Sequence, residues 1–204
     1  MVHTNIHTEL EMAVQADVPT HFKGILDQGA VTACREVFVN EDELAARAFE
    51  LGRLFMYDKN FARTGSKVIY PTDINELATL RAQESYKGFA VTSVESLSAA
   101  VNGLKIVFEK LFAPQVVLAG AYISPADNAV LPPHNDGEPV IAVQLKGRKR
   151  FDFPTLGESE FGATLDPGDG LVIPQGLVHS TATLVDSVHL CFNLLPPDFF
   201  DDTQ

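Results

Sequence analysis

The chain has 204 residues, 46% hydrophobic and 21% charged, enough for one well-built core. Its formal net charge of -12 argues against nucleic acid as a partner, because surfaces that bind phosphate backbones are basic. No run of 18 apolar residues suggests a membrane span, the start MVHTNIHTELEMAVQ lacks the basic and apolar regions of a secretion signal, and the two cysteines, Cys34 and Cys191, form no CxxC pair, so a cytoplasmic protein with reduced thiols is expected.

Residues 1–39 are weakly patterned, and His3, His7 and His21 within them read as surface or tail residues. The stretch NEDELAARAFELGRLF predicts a helix, with Asn40 as N-cap, Glu43 three residues on, and Leu44, Ala48, Leu51 and Phe55 at helical spacing. A second helix is expected in TDINELATLRAQ, capped by Thr72, with Ile74, Leu77 and Leu80 as its stripe. A third is expected in SVESLSAAVNGLKIVFEKLF, capped by Ser93, with Leu97, Val101, Leu104, Phe108 and Leu111 on one face.

After Phe112 the texture changes. APQVVLAGAYISP, VIAVQLKGRKRFDF, the short run Leu171 to Ile173 behind an Asp-Pro-Gly-Asp-Gly turn, and VDSVHLCFNLLPP all read as strands. Short strands at close spacing with Gly/Pro turns suggest a sandwich or jelly roll. The expected fold is α+β: one compact domain over 1–204, with a mainly helical part (1–112) packed on a β core (113–200).

Three residues of the β part stand out. His134 and Asp136 are two apart, so in extended chain they point to one side. His179 follows a Gly-Asp-Gly turn, an apolar strand and the bend Pro174-Gln175-Gly176. Two histidines and one carboxylate with open positions suit non-haem iron(II), and zinc equally by ligand type. Lys149 lies fifteen residues after His134. Counting by twos puts it on a face with Gly147, Leu145, Val143 and Ile141, where a buried lysine requires an anion. The competing reading puts Lys149 at the solvated rim of a KGRKR hairpin.

The stretches PPHNDGEPVIAVQLKGRKRF, PGDGLVIPQGLVHS and SVHLCFNL together resemble the cupin-like, JmjC-type family of iron(II)- and 2-oxoglutarate-dependent oxygenases, over roughly Val116 to Pro196. The resemblance implies a double-stranded β-helix, iron(II) held by His134, Asp136 and His179, 2-oxoglutarate with its distal carboxylate on Lys149, and O2 as oxidant. Asn193 matches a strand asparagine beside the co-substrate, and Tyr122 is a candidate phenolic partner. Alternation puts His189 and Cys191 on the face of Asn193, with His189 read as a satisfied core histidine. Leu131 falls where some relatives carry a threonine. The chain stops soon after the last strand, so the C-terminal segments of ribosomal-protein oxygenases are not expected and a ribosomal substrate does not follow. The expected activity is hydroxylation of an amino acid, a peptide or protein side chain, or a small biosynthetic intermediate. Glu138, Asp127 and Asp169 are candidates to meet a cationic group or, more simply, solvated loop carboxylates. Rival readings are a metal cupin that does not use 2-oxoglutarate and a non-catalytic jelly-roll binding module. Oligomeric state is not fixed by the sequence.

Overall fold

The computed structural model describes residues 6–57, 68–86, 88–126, 133–154 and 162–200. Its helices are α1 (His7–Gln15), α2 (Gln28–Arg35), α3 (Glu41–Glu50), α4 (Ile74–Arg81) and α5 (Ala99–Leu111). Its strands are β1 (Thr20–Phe22), β2 (Leu54–Met56), β3 (Phe89–Thr92), β4 (Val116–Ser124), β5 (Val140–Asp152), β6 (Gly162–Leu165), β7 (Gly170–Ile173) and β8 (Ser180–Leu195). They pair antiparallel in the order β1-β7-β5-β8-β4-β3-β2, with β6 also on β5, which is a jelly roll.

The long strands β5 and β8 are the spine. β8 pairs with β4 along nine residues and with β5 from Asn193 to Ser180. β4 is half-buried by alternation: Val117, Ala119, Ala121 and Ile123 are sealed, with the intervening residues more open. α5 covers that face. Its Val101, Leu104 and Phe108 are buried, and Phe108 meets Phe192 of β8 edge to face at 4.8 Å. Each such side chain stabilises the fold by about 1.5–3 kcal/mol relative to exposure.

The part before residue 113 is less purely helical than its sequence suggests. β1, β2 and β3 come from it and extend the sheet at both ends. Strands of three or four residues are too short to display a period, and they exist because longer strands offer them an edge. α3 starts where expected, with Asn40 Oδ1 accepting from the Glu43 N–H at 3.2 Å and Asn40 Nδ2 donating back to Glu43 at 3.2 Å. It ends at Glu50, so Phe55 lies on β2. α4 is capped by Asp73, whose carboxylate accepts from the N–H groups of Asn75 and Glu76, while Thr72 bonds to the Glu76 side chain. Ser93 sits at φ +50° before a single 3-10 turn, and Ser98 caps α5, which leaves Leu97 outside the helix.

A kink in β5 decides what the site contains. Gly147 has φ +68°, and a Cβ there would lie 1.9 Å from the Asp186 carbonyl oxygen, so only glycine fits. Between the pairs Gln144↔His189 and Lys149↔Thr183, β5 spans five residue steps and β8 six. The register shift reverses the phase of β5. Ile141, Val143 and Leu145 face the main core. Val140, Ala142, Phe151 and Phe153 form a second cluster on the opposite face. Lys149, two residues before Phe151, therefore shares the face of Val140 and Ala142, not that of Ile141, Val143 and Leu145 as simple alternation requires.

Candidate metal centre

His134 and His179 face each other across a two-residue bridge: the N–H of His134 donates to the carbonyl of His179 at 2.9 Å, and the reverse bond is 2.8 Å. The bend before His179 is tied to the same segment. Gly176, at φ +74°, donates its N–H to the Asp136 carbonyl at 2.9 Å, and Gln175 Nε2 donates to the Gly137 carbonyl at 2.7 Å. These bonds bring His134, Asp136 and His179 together, with one ligand atom from each within 4.8 Å of the others. Asp136 stands between the imidazoles, 3.9 Å from His134 Nε2 and 3.7 Å from His179 Nε2.

His179 Nδ1 lies 3.1 Å from the Leu177 carbonyl, which accepts its proton and leaves Nε2 as the free lone pair. Burial holds His179 below its ordinary pKa, so the neutral, metal-binding form is favoured. Two imidazoles and a carboxylate meeting at one pocket fit iron(II), with coordination positions left for ligands.

Behind the triad the wall is polar and buried. Lys149 is 1% exposed. Its Nζ donates to Ser124 Oγ at 3.2 Å and lies 3.5 Å from His189 Nδ1. No carboxylate of the described residues pairs with it, and burial pulls its pKa down to about 8. Among the described residues, the buried hydroxyls of Thr181 and Thr183 have no hydrogen-bond partner. A buried cation beside such hydroxyls is costly unless an anion such as a carboxylate joins them.

Tyr122 and Asn193 line the same pocket as the triad, as do His189 and Cys191. The Tyr122 ring stacks on His189 at 5.0 Å and 12°, and burial pushes its phenol pKa up. Asn193 Nδ2 donates to Glu138 Oε1 at 2.6 Å. Ser124, Thr181 and Phe151 join these residues, each two positions from one the sequence singles out, Tyr122, His179 and Lys149 respectively, so alternation alone reaches them. Asp169 is no solvated loop carboxylate: it is buried and takes hydrogen bonds from Lys23 Nζ at 2.6 Å and the Gly24 N–H at 3.0 Å. His21, 3.3 Å from the same carboxylate, lies on β1 and not in a tail. His3, Asp127 and Leu131 lie outside the described residues.

A jelly roll with His, Asp and His converging at its mouth defines a metal cupin. The cupin family model matches residues 82–190, just over half of the chain, and the chain belongs to that family. Two curated relatives are each 34% identical over 37% of this chain: ribosomal oxygenase 2 of Rattus norvegicus, of which the match covers 20%, and the bifunctional lysine-specific demethylase and histidyl-hydroxylase NO66 of Branchiostoma floridae, of which it covers 12%. The match thus spans a fifth or less of either relative. The ribosomal oxygenase YcfD of Escherichia coli, solved with cobalt and 2-oxoglutarate, has the same fold: TM-score 0.70 and 20% identity over 100% of this chain and 55% of that one. Its complex with cobalt and succinic acid superposes with TM-score 0.69 at 19% identity, over 98% of this chain and 54% of that one.

Proposed function

We propose that the chain is an iron(II)- and 2-oxoglutarate-dependent dioxygenase that hydroxylates an amino acid, a peptide or protein side chain, or a small biosynthetic intermediate. The likeness to oxygenases whose names specify ribosomal and histidyl targets favours a peptide or protein side chain. The carrying observation is the pairing of a His-Asp-His cluster with a sealed lysine that has no anionic partner among the described residues. A metal cupin without 2-oxoglutarate needs the first feature and has no use for the second.

In this reading His134, Asp136 and His179 hold the iron, and Lys149 holds the distal carboxylate as a compact point charge. When bound, iron and 2-oxoglutarate supply the oxidising chemistry that activates O2. The protein's own part is orientation and exclusion of water. Asp136 supplies the one anionic ligand. His179, locked by Leu177, presents Nε2 without reorganising. Ser124, itself bonded to Tyr57, fixes Lys149. Tyr122 and Asn193 line the space between and are assigned to the co-substrate. We take the 204 residues to act as one domain, since strands from both parts share one sheet. No helix among the described residues is long and apolar enough to cross a membrane, and both cysteines are free, which supports a reducing, cytoplasmic setting.

The test is anaerobic titration of the iron(II)-loaded protein with 2-oxoglutarate, following the visible metal-to-ligand charge-transfer band. The wild type should develop the band, and Lys149→Ala should need far more co-substrate. Absence of the band in the wild type overturns the reading.

A further inference from the structure

Beyond the triad and Lys149, the pocket holds one buried side chain whose role the sequence left open. His189 is 2% exposed and is held on three sides. Its ring stacks on Tyr122, meets Phe151 edge-on at 5.9 Å, and places Nδ1 3.5 Å from the Lys149 ammonium. An ammonium only donates, so Nδ1 accepts and the imidazole proton resides on Nε2. Burial and the adjacent Lys149 charge hold the ring well below its ordinary pKa, which keeps it neutral. His189 lines the pocket shared with the triad, whereas Lys149 stands behind it. A ligand entering from the metal side therefore reaches the imidazole before it reaches the ammonium.

We propose that His189 is a specificity-determining residue of this site: held by Lys149 in the Nε2–H tautomer, it donates that proton as a hydrogen bond to the distal carboxylate of the bound 2-oxo acid. This assignment rests on the 2-oxoglutarate reading above. Lys149 supplies the charge and His189 a directional donor, so the pair selects a dicarboxylate over a 2-oxo acid with an apolar end. Thr181, with its unpartnered hydroxyl in the same lining, is placed to share the anion.

The test is calorimetric titration of the manganese(II)-loaded full chain, which does not turn over, with 2-oxoglutarate and with 2-oxopentanoate, which lacks the distal carboxylate. His189→Leu should weaken 2-oxoglutarate by roughly tenfold or more and leave 2-oxopentanoate unchanged, as expected for loss of a hydrogen bond to a charged group. His189→Gln, whose amide N–H reaches the Nε2 position, should restore most of the preference. His189→Asn, which keeps only an acceptor for Lys149, should not. The inference is overturned if His189→Leu binds both acids as the wild type does, or if asparagine restores the preference as well as glutamine. A wild type that binds neither acid overturns the underlying oxygenase reading, and this one with it.

Discussion

Asp169 and Lys149 are both almost sealed from solvent, at 5% and 1% exposure. Asp169 accepts hydrogen bonds from Lys23 Nζ and from the N–H groups of Gly24 and Asp166, and stands beside His21. These bonds tie the β1 edge to the turn before β7, and they hold the Asp169 carboxyl below the usual carboxylate range despite burial. Lys149 has one hydroxyl and one imidazole nitrogen, and burial wins over both. In the proposed reading, the contrast separates a charge that builds the fold from one that takes a ligand. The first has its partners supplied by the chain, and the second has them withheld.

The sharpest way to break the comparison is to collapse both regions together. Gly147→Ala forces a Cβ into the Asp186 carbonyl at φ +68°. It should destabilise the protein by at least about 2 kcal/mol and abolish 2-oxoglutarate binding, read by thermal melts and calorimetry. Lys149→Met should separate the two properties. Affinity for 2-oxoglutarate should fall by on the order of 100-fold, while stability to urea stays level or rises by about 1–3 kcal/mol, since an unpaired buried charge has been removed. A parallel loss of stability would make Lys149 structural. Asp169→Ala should do the reverse, costing about 2–3 kcal/mol in urea unfolding with the co-substrate affinity unchanged.

The same contrast carries into pH. Asp169 is depressed in the fold, so its contribution is present above its unfolded value near 4 and is lost as pH falls through the folded value. Lys149 is depressed from 10.5 to about 8, so between these values the unfolded chain binds the extra proton and stability rises with pH. Wild-type stability measured against Lys149→Met without ligand should climb across that window, by at most about 3 kcal/mol. A flat difference would show that the lysine is solvated.

Much of the site was legible because its parts are local. The His-Asp pair needs only the two-residue period of extended chain, and the Pro174-Gln175-Gly176 bend announces His179. The long strands and α5 carry enough residues for their patterns to emerge. What stayed hidden depends on distant partners. β1 to β3 exist by edge pairing, and the network around Asp169 joins residues almost 150 positions apart. Lys149 shows the subtlest failure: alternation puts it on the wrong face because a period cannot be counted through a bulge.

Gly147 also sets a rule for chain length. Upstream and downstream of it, β5 behaves as two segments out of step by one residue. With the kink lost and the length kept, regular alternation would turn Lys149 and Phe151 to the main-core face of Leu145 and put Arg148 and Arg150 on the face of Ala142; with one residue fewer, it would leave Lys149 where it is. The kink at Gly147 and the length of β5 are therefore fixed together.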